Sequence, residues 1–355
     1  MPPESPPVLS KPLSQRQRQI LYAAVTEYIA SGQAVSSRAL ARRYELNLSA
    51  ASIRNVLADL EELGCLTQPH TSAGRVPTDI GFRVFVDTLM QVQVLGIQDR
   101  SRVTARLRRL YEERQGDFMS ESGKLLASLT GAAAVLTTPR AEDVALSQVR
   151  YLLLEGSQLL VMLIMRSGAV QSRVIKITVP LKNSDLDQIH RYLDEHVKGR
   201  TLEELRLRLA EEMVREQGEY RDLCAKTKDM IDATLDSSSP RPQLLIEGQV
   251  ALLDRLEFSN ADHLRGLMRA LEEKERLLEL LDRTLEAKGV QVIIGAETQL
   301  GTHGELSVIS AHYGVIGGTV GVIAPKRVDY GKVVPLVDFT ARVMTALLDP
   351  DGRDE

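Results

Sequence analysis

Between Ser49 and Asn55 the chain sets two serines, two alanines, an arginine and an asparagine around a single isoleucine. At 3.6 residues per turn, Ile53, Val56, Leu57, Leu60 and Leu63 fall on one face. Ala51, Asn55 and Ala58 lie opposite, flanked by Ser52 and Arg54. Asn and Arg can pair with base edges, and small residues permit close approach, so this is the chemistry of a helix that enters the major groove by its N-terminal end. The acids Asp59, Glu61 and Glu62 sit in the other half of the segment, displaced from where phosphate would lie. A second set of donors, His70, Thr71, Ser72 and Arg75, occupies the polar stretch that follows and suits phosphate oxygens or a minor-groove approach. Arg38 and Arg42, a short distance upstream, are further candidates for the same surface.

Other chemistries find little support. The six histidines, at 70, 190, 196, 263, 303 and 312, form no ligand spacing with Cys65 and Cys224, so no metal is expected. Gly317-Gly-Thr-Val-Gly321 lacks the Lys-Ser/Thr that completes a phosphate loop and reads as a hairpin turn. His312, in an apolar strand, reads as a core group. No nucleophile stands beside a base in a recognisable motif. The expectation is a protein that is not an enzyme and needs no cofactor.

The candidate residues require a scaffold, and the flanking sequence supplies one. Ser14 can cap a helix carrying Ile20, Leu21, Ala24, Val25, Tyr28 and Ile29, stopped at Ser31-Gly32. A short helix from about Ser36 to Tyr44 follows, then the turn Leu46-Asn-Leu48. Ser49 caps the third helix and Gly64 ends it. Cys65–Gln68, a polar turn and Val76-Pro77 complete a small hairpin. Three helices and a hairpin make a winged helix-turn-helix, and Thr78 opens a further helix.

Beyond it, a helical pattern from Asp99 to about Thr130 leads into strands at 133–137, 149–155, 159–165 and 170–177. Leucine-rich helical stripes span Leu202–Leu223 and Leu264–Leu285. Strands at 290–294, 306–312 and 319–323 and a closing helix from about Asp338 to Leu348 end the pattern. The fold class expected is α+β.

Composition agrees with several domains of globular type: 355 residues, 43% hydrophobic and 26% charged. No apolar run is long enough to span a membrane. The cysteines suggest no disulfide framework, which favours a cytoplasmic setting. A net charge of -4 argues against nucleic acid until its distribution is read. From Ser10 to Ala58, Lys11, Arg16, Arg18, Arg38, Arg42, Arg43 and Arg54 face only Glu27 and Glu45, a balance of +5 that leaves -9 on the remainder. A basic end on an acidic body fits a DNA reader joined to something else.

Several stretches closely resemble the heat-inducible transcription repressor family, HrcA. They are Leu13-Ser-Gln-Arg-Gln-Arg-Gln-Ile-Leu21, Ser49-Ala-Ala-Ser-Ile-Arg-Asn55, Asp59-Leu-Glu-Glu-Leu-Gly64 and Gln68-Pro-His-Thr-Ser-Ala-Gly-Arg-Val-Pro-Thr78. At the far end Ile294-Gly-Ala-Glu297, Ser307-Val-Ile-Ser-Ala-His-Tyr313 and Gly321-Val-Ile-Ala-Pro-Lys-Arg-Val-Asp-Tyr330 are similar to that family's C-terminal signature. Cys65 stands where the family usually has Tyr or Phe.

The resemblance implies a winged helix, a GAF-like α+β domain and an inserted helical or mixed dimerising domain. The divisions expected are a disordered lead-in over 1–12, the DNA-binding domain over 13–92, the GAF-like domain over 93–180 and 256–350, and the insert over 181–255. It also implies a repressor of chaperone operons that binds an inverted-repeat operator in double-stranded DNA as a homodimer. Heat stress would release it, and a GroEL-type chaperonin would maintain its activity. A small-molecule sensor in the GAF-like domain and a body that itself responds to temperature remain alternatives.

Overall fold

The computed structural model describes residues 12–70, 73–90, 94–113, 117–138, 145–154, 157–165, 170–177, 181–215, 217–236, 244–253, 261–287, 289–301, 304–314 and 318–348. The lead-in expected over 1–12 lies outside them except for Pro12.

The N-terminal helices form where their caps dictate. Ser14 and Gln17 make a reciprocal capping box that starts α1 (Gln15–Ser31), and Gly32 ends it at φ 69°. Ser36 caps α2 (Ser37–Arg43), and Ser49 caps α3 (Ala50–Glu62). Ile20, Leu21, Val25, Leu40, Ile53, Leu57 and Leu60 are fully buried and hold the three helices together. Strands β1 (Leu66–Thr67) and β2 (Val76–Pro77) pair antiparallel, and a bridge from Val35 to Arg75 adds the α1–α2 connector to this wing. Thr78 caps α4 (Asp79–Val84), which runs on into a π turn over Phe85–Leu89. Gly81 lets α4 lie against the wing: a Cβ there would sit 2.1 Å from the Cys65 carbonyl oxygen.

The body is built on a five-stranded antiparallel sheet of β3 (Ala133–Thr137), β7 (Leu244–Glu247), β8 (Gln291–Ile294), β9 (Leu306–Tyr313) and β10 (Gly318–Pro325). Their order is β7-β3-β10-β9-β8. Alternate residues face opposite ways. Ala134, Leu136, Ile309, Ala311, Val320 and Val322 join the winged-helix core and pack on α5 (Ile97–Glu113), α6 (Phe118–Thr130) and α13 (Tyr330–Leu348). Ala133, Val135, Val308 and Ile323 face the other way, onto α10 (Val250–Leu253), α11 (Ala261–Glu272) and α12 (Lys274–Glu286). The arrangement is α+β and GAF-like, an antiparallel sheet between helical layers. His312 is exposed, not a core group, because strand alternation turns it out between buried Ala311 and Tyr313.

A third core is separate. Strands β4 (Leu146–Leu153), β5 (Gln158–Met165) and β6 (Val170–Lys176) form an antiparallel meander. One face packs on α7 (Asn183–His196), α8 (Leu202–Arg215) and α9 (Glu219–Asp236). Tyr151 joins the two layers: its hydroxyl lies 3.2 Å from Thr234, and burial pushes it up to about 12. The boundary expected at 181 therefore cuts through a packed unit, since the meander shares its core with the helices and not with the larger sheet. The boundary expected at 255 moves too, because β7 pairs with β3 in that sheet.

Candidate nucleic-acid interface

The N-terminal end of α3 is fixed by its own cap. The Ser49 hydroxyl oxygen accepts the Ser52 N–H at 3.1 Å, and the two hydroxyls are 3.0 Å apart. Cap and first turn are thus one hydrogen-bonded unit, with Ser52 half-buried and Ser49 exposed. Ile53, Val56 and Leu57 are drawn into the core, which leaves Ala51, Arg54 and Asn55 exposed on the outer face. Arg38 and Arg42 are exposed on α2. Among the described residues Arg38, Arg42 and Arg54 have no carboxylate partner. Arg43 differs: its guanidinium meets the nearly buried Glu27 carboxylate at 2.6 Å, and that hydrogen bond raises it above its ordinary value.

The wing is tied down at both ends. The Gln68 side-chain amide donates to the Ala73 carbonyl at 2.8 Å, and the Ala73 N–H donates to the His70 carbonyl at 2.8 Å. His70 is exposed at the tip. Thr71 and Ser72 lie outside the described residues. Arg75 has a more structural position than the sequence suggested. Its Nε donates to Glu61 at 2.8 Å, its side chain is only 17% exposed, and its backbone exchanges two hydrogen bonds with Val35. Arg75 is a strut between wing and α3, and the pair takes Glu61 out of the set of free acids. Asp59 and Glu62 remain exposed in the C-terminal half of α3.

At the wing's base Cys65 is fully buried, and burial pushes its thiol up to about 11. Sequence reasoning missed a further set, Asp79 and Arg83 on α4, which face residues more than two hundred positions away. The only advance sign was the far-end signature around Glu297 and Lys326. Among the described residues no group of three or more His, Cys, Asp or Glu could hold a metal ion. No helix there is long and apolar enough to cross a membrane.

The family model described as the HrcA protein C-terminal domain matches residues 116–334. The heat-inducible transcription repressor HrcA of Sorangium cellulosum is 45% identical over 94% of this chain and 97% of its own length. Its namesake from Geobacter sulfurreducens is 38% identical over 95% and 98%. A hypothetical protein solved by crystallography at 2.2 Å matches 96% of this chain and 99% of its own, with a TM-score of 0.58 and 23% identity, which bears on fold alone. The relatives are named as transcription repressors, a class of regulators and not of enzymes. This chain belongs to the heat-inducible transcription repressor family, HrcA, and is a negative regulator of heat-shock transcription.

Proposed function

We propose that the chain binds an inverted-repeat operator as a homodimer, with α3 in the major groove and the wing along the adjoining backbone. The observation that carries this is the exposed face of Ala51, Arg54 and Asn55, together with the exposed Arg38 and Arg42, which have no carboxylate partner among the described residues. Asn55 and Arg54 would read base edges. Arg38, Arg42 and the Ser49–Ser52 cap would meet phosphates, joined by His70 and the wing residues Thr71 and Ser72. Arg75 would aim the wing from behind.

The second copy would join at the outer face of the β4–β6 meander. Register aligns Leu152, Leu160 and Val174 in one row, and Ile164 with Val170 in another. Leu152 is 48% exposed, Val170 60% and Val174 52%. So much apolar surface on one small sheet fits an isologous interface. The insert of this reading spans roughly residues 146–236, and the GAF-like body takes the segments on either side. Release on heat stress and maintenance by a GroEL-type chaperonin are what family membership suggests, and a cytoplasmic site of action goes with a DNA partner.

A gel shift on a chaperone-operon promoter tests the reading. The intact inverted repeat should bind and a scrambled repeat should not, with added chaperonin restoring binding after a heat pulse. Equal binding to both duplexes would refute operator recognition.

A further inference from the structure

The signature residues at the far end of the chain converge on α4 of the winged helix. Asp79 and Arg83, one helical turn apart, project from the same face of α4. The Asp79 carboxylate accepts Lys326 Nζ at 3.0 Å on one oxygen and the Ala296 N–H at 2.9 Å on the other. Arg83 donates through Nε to Glu297 at 3.0 Å, through a second nitrogen to the other Glu297 oxygen, and to the Val292 carbonyl at 2.8 Å. Glu297 is itself held by the Ile294 N–H at 3.0 Å. On the adjoining face of α4, Phe82 is fully buried, its ring centroid 6.2 Å from that of Tyr330. Arg327 adds a hydrogen bond to the Ile29 carbonyl at 3.2 Å.

Gly295 completes the fit. It sits at φ 56°, and a Cβ there would lie 2.2 to 2.4 Å from the Asp79 carboxylate. The body thus closes on the carboxylate with bare backbone. All four charged side chains are at most 28% exposed, so water weakens the grip less than it would at the surface. On the other side, α4 is bound to the wing: Thr78 Oγ1 donates to the Gly64 carbonyl at 2.5 Å, and the Thr78 N–H donates to the Cys65 carbonyl at 3.1 Å. α4 is therefore a rigid adaptor, fused to the reading head on one side and clamped to the body on the other.

We propose that Asp79, Arg83, Gly295, Glu297 and Lys326 are positioning residues that fix the angle of the recognition helix to the body, so that pairing of two bodies sets the operator's half-site spacing. The inference rests on the operator-binding dimer proposed above. A rigid link holds the second reading head at high effective concentration over its half-site, and a loosened link dilutes it. Contacts within each half-site are untouched.

The test uses the full-length chain and fluorescence anisotropy on three duplexes: the natural palindrome, the palindrome with half a helical turn (about 5 base pairs) inserted at its centre, and a single half-site. The wild type should bind the natural palindrome far better than the lengthened one. Glu297→Gln, which keeps the side-chain shape but loses the charge, should hold the half-site within about twofold, bind the palindrome about tenfold more weakly, and lose much of the penalty for the insertion. Gly295→Ala, which attacks Asp79 from the opposite element, should do the same. Sedimentation should find each variant as dimeric as the wild type.

An unchanged spacing profile in both variants would overturn the proposal. So would a parallel loss on half-site and palindrome, which is the mark of a residue that only supports the fold. Failure of the wild type to tell a palindrome from a scrambled duplex would instead refute the operator reading itself.

Discussion

Arg54→Ala separates binding from folding. The side chain is exposed, has no partner among the described residues and stands beside, not within, the buried stripe of α3. Its removal should shift stability by no more than about 0.5 kcal/mol. Binding should respond much more. A bidentate base contact discriminates by about 1–3 kcal/mol, and a two-fold complex has two of them, so the palindrome should lose about 2–6 kcal/mol. That is roughly 30-fold to 10⁴-fold in affinity. If Arg54 meets phosphate instead, affinity falls for all sequences alike. The slope of log K against log salt would then flatten by about 0.9 per copy, or about 2 for the dimer. Anisotropy titrations across a salt series, on operator and mutated-base duplexes, distinguish the two. Thermal unfolding of the same samples controls for the fold. Affinity within twofold of wild type and an unchanged salt slope, with the fold intact, would refute the placement of α3 in the groove.

Arg75→Ala should behave differently, lowering stability of the DNA-binding module by about 1 kcal/mol through loss of the Glu61 strut. Glu61→Ala should match it, with both read by thermal unfolding, and neither should flatten the salt slope of operator binding. Gly81→Ala forces a Cβ to within 2.1 Å of the Cys65 carbonyl oxygen, and backbone cannot yield as a side chain can. It should cost about 1–3 kcal/mol or more, and operator binding should fall in step with the folded fraction measured by circular dichroism. His190 accepts the Tyr151 N–H at 3.0 Å through Nε2. Burial, and then Arg150, holds its imidazole below the usual 6.5, against opposing contributions from Asp194 and Asp187. A depressed value means that the unfolded chain binds the proton first. Stability of the insert should therefore be full above about pH 6.5 and decline as pH falls below it. A melting series from about pH 7.5 to about pH 5.5 should follow this in the wild type and be flatter in His190→Gln.

What could be read in advance was local. Ser14, Ser36 and Ser49 stand immediately before their helices, and Gly32 and Gly64 terminate the first and third, because capping chemistry depends on residues three or four apart. The outward set on α3 followed from periodicity alone. Partnership over distance was hidden. β4–β6 bury one face by alternation, as any half-buried strand does, and nothing in that pattern says which sheet a strand joins. Helix α13 begins at Tyr330, eight residues before the expected Asp338, and takes Pro335 into its interior. A proline past the first turn lacks the donor for the carbonyl four residues back and crowds it, so in sequence it reads as a stop. Arg75 and Glu61, fourteen residues apart, each look like a solvated charge until the wing folds back.

The pairing of β3 with β7 has a consequence of its own. Thr137 and Leu244 stand opposite each other in register, so the chain leaves the body for the insert and returns at two adjacent strand ends. Topologically the pair is a hairpin whose loop has been replaced by a module of nearly a hundred residues. Lineages could exchange or trim such a module without redesigning the sheet, since its ports are neighbours and its core is its own. The same two ports are where the backbone joins that module to the sheet. They lie next to the layer in which α13 and α6 pack against the sheet.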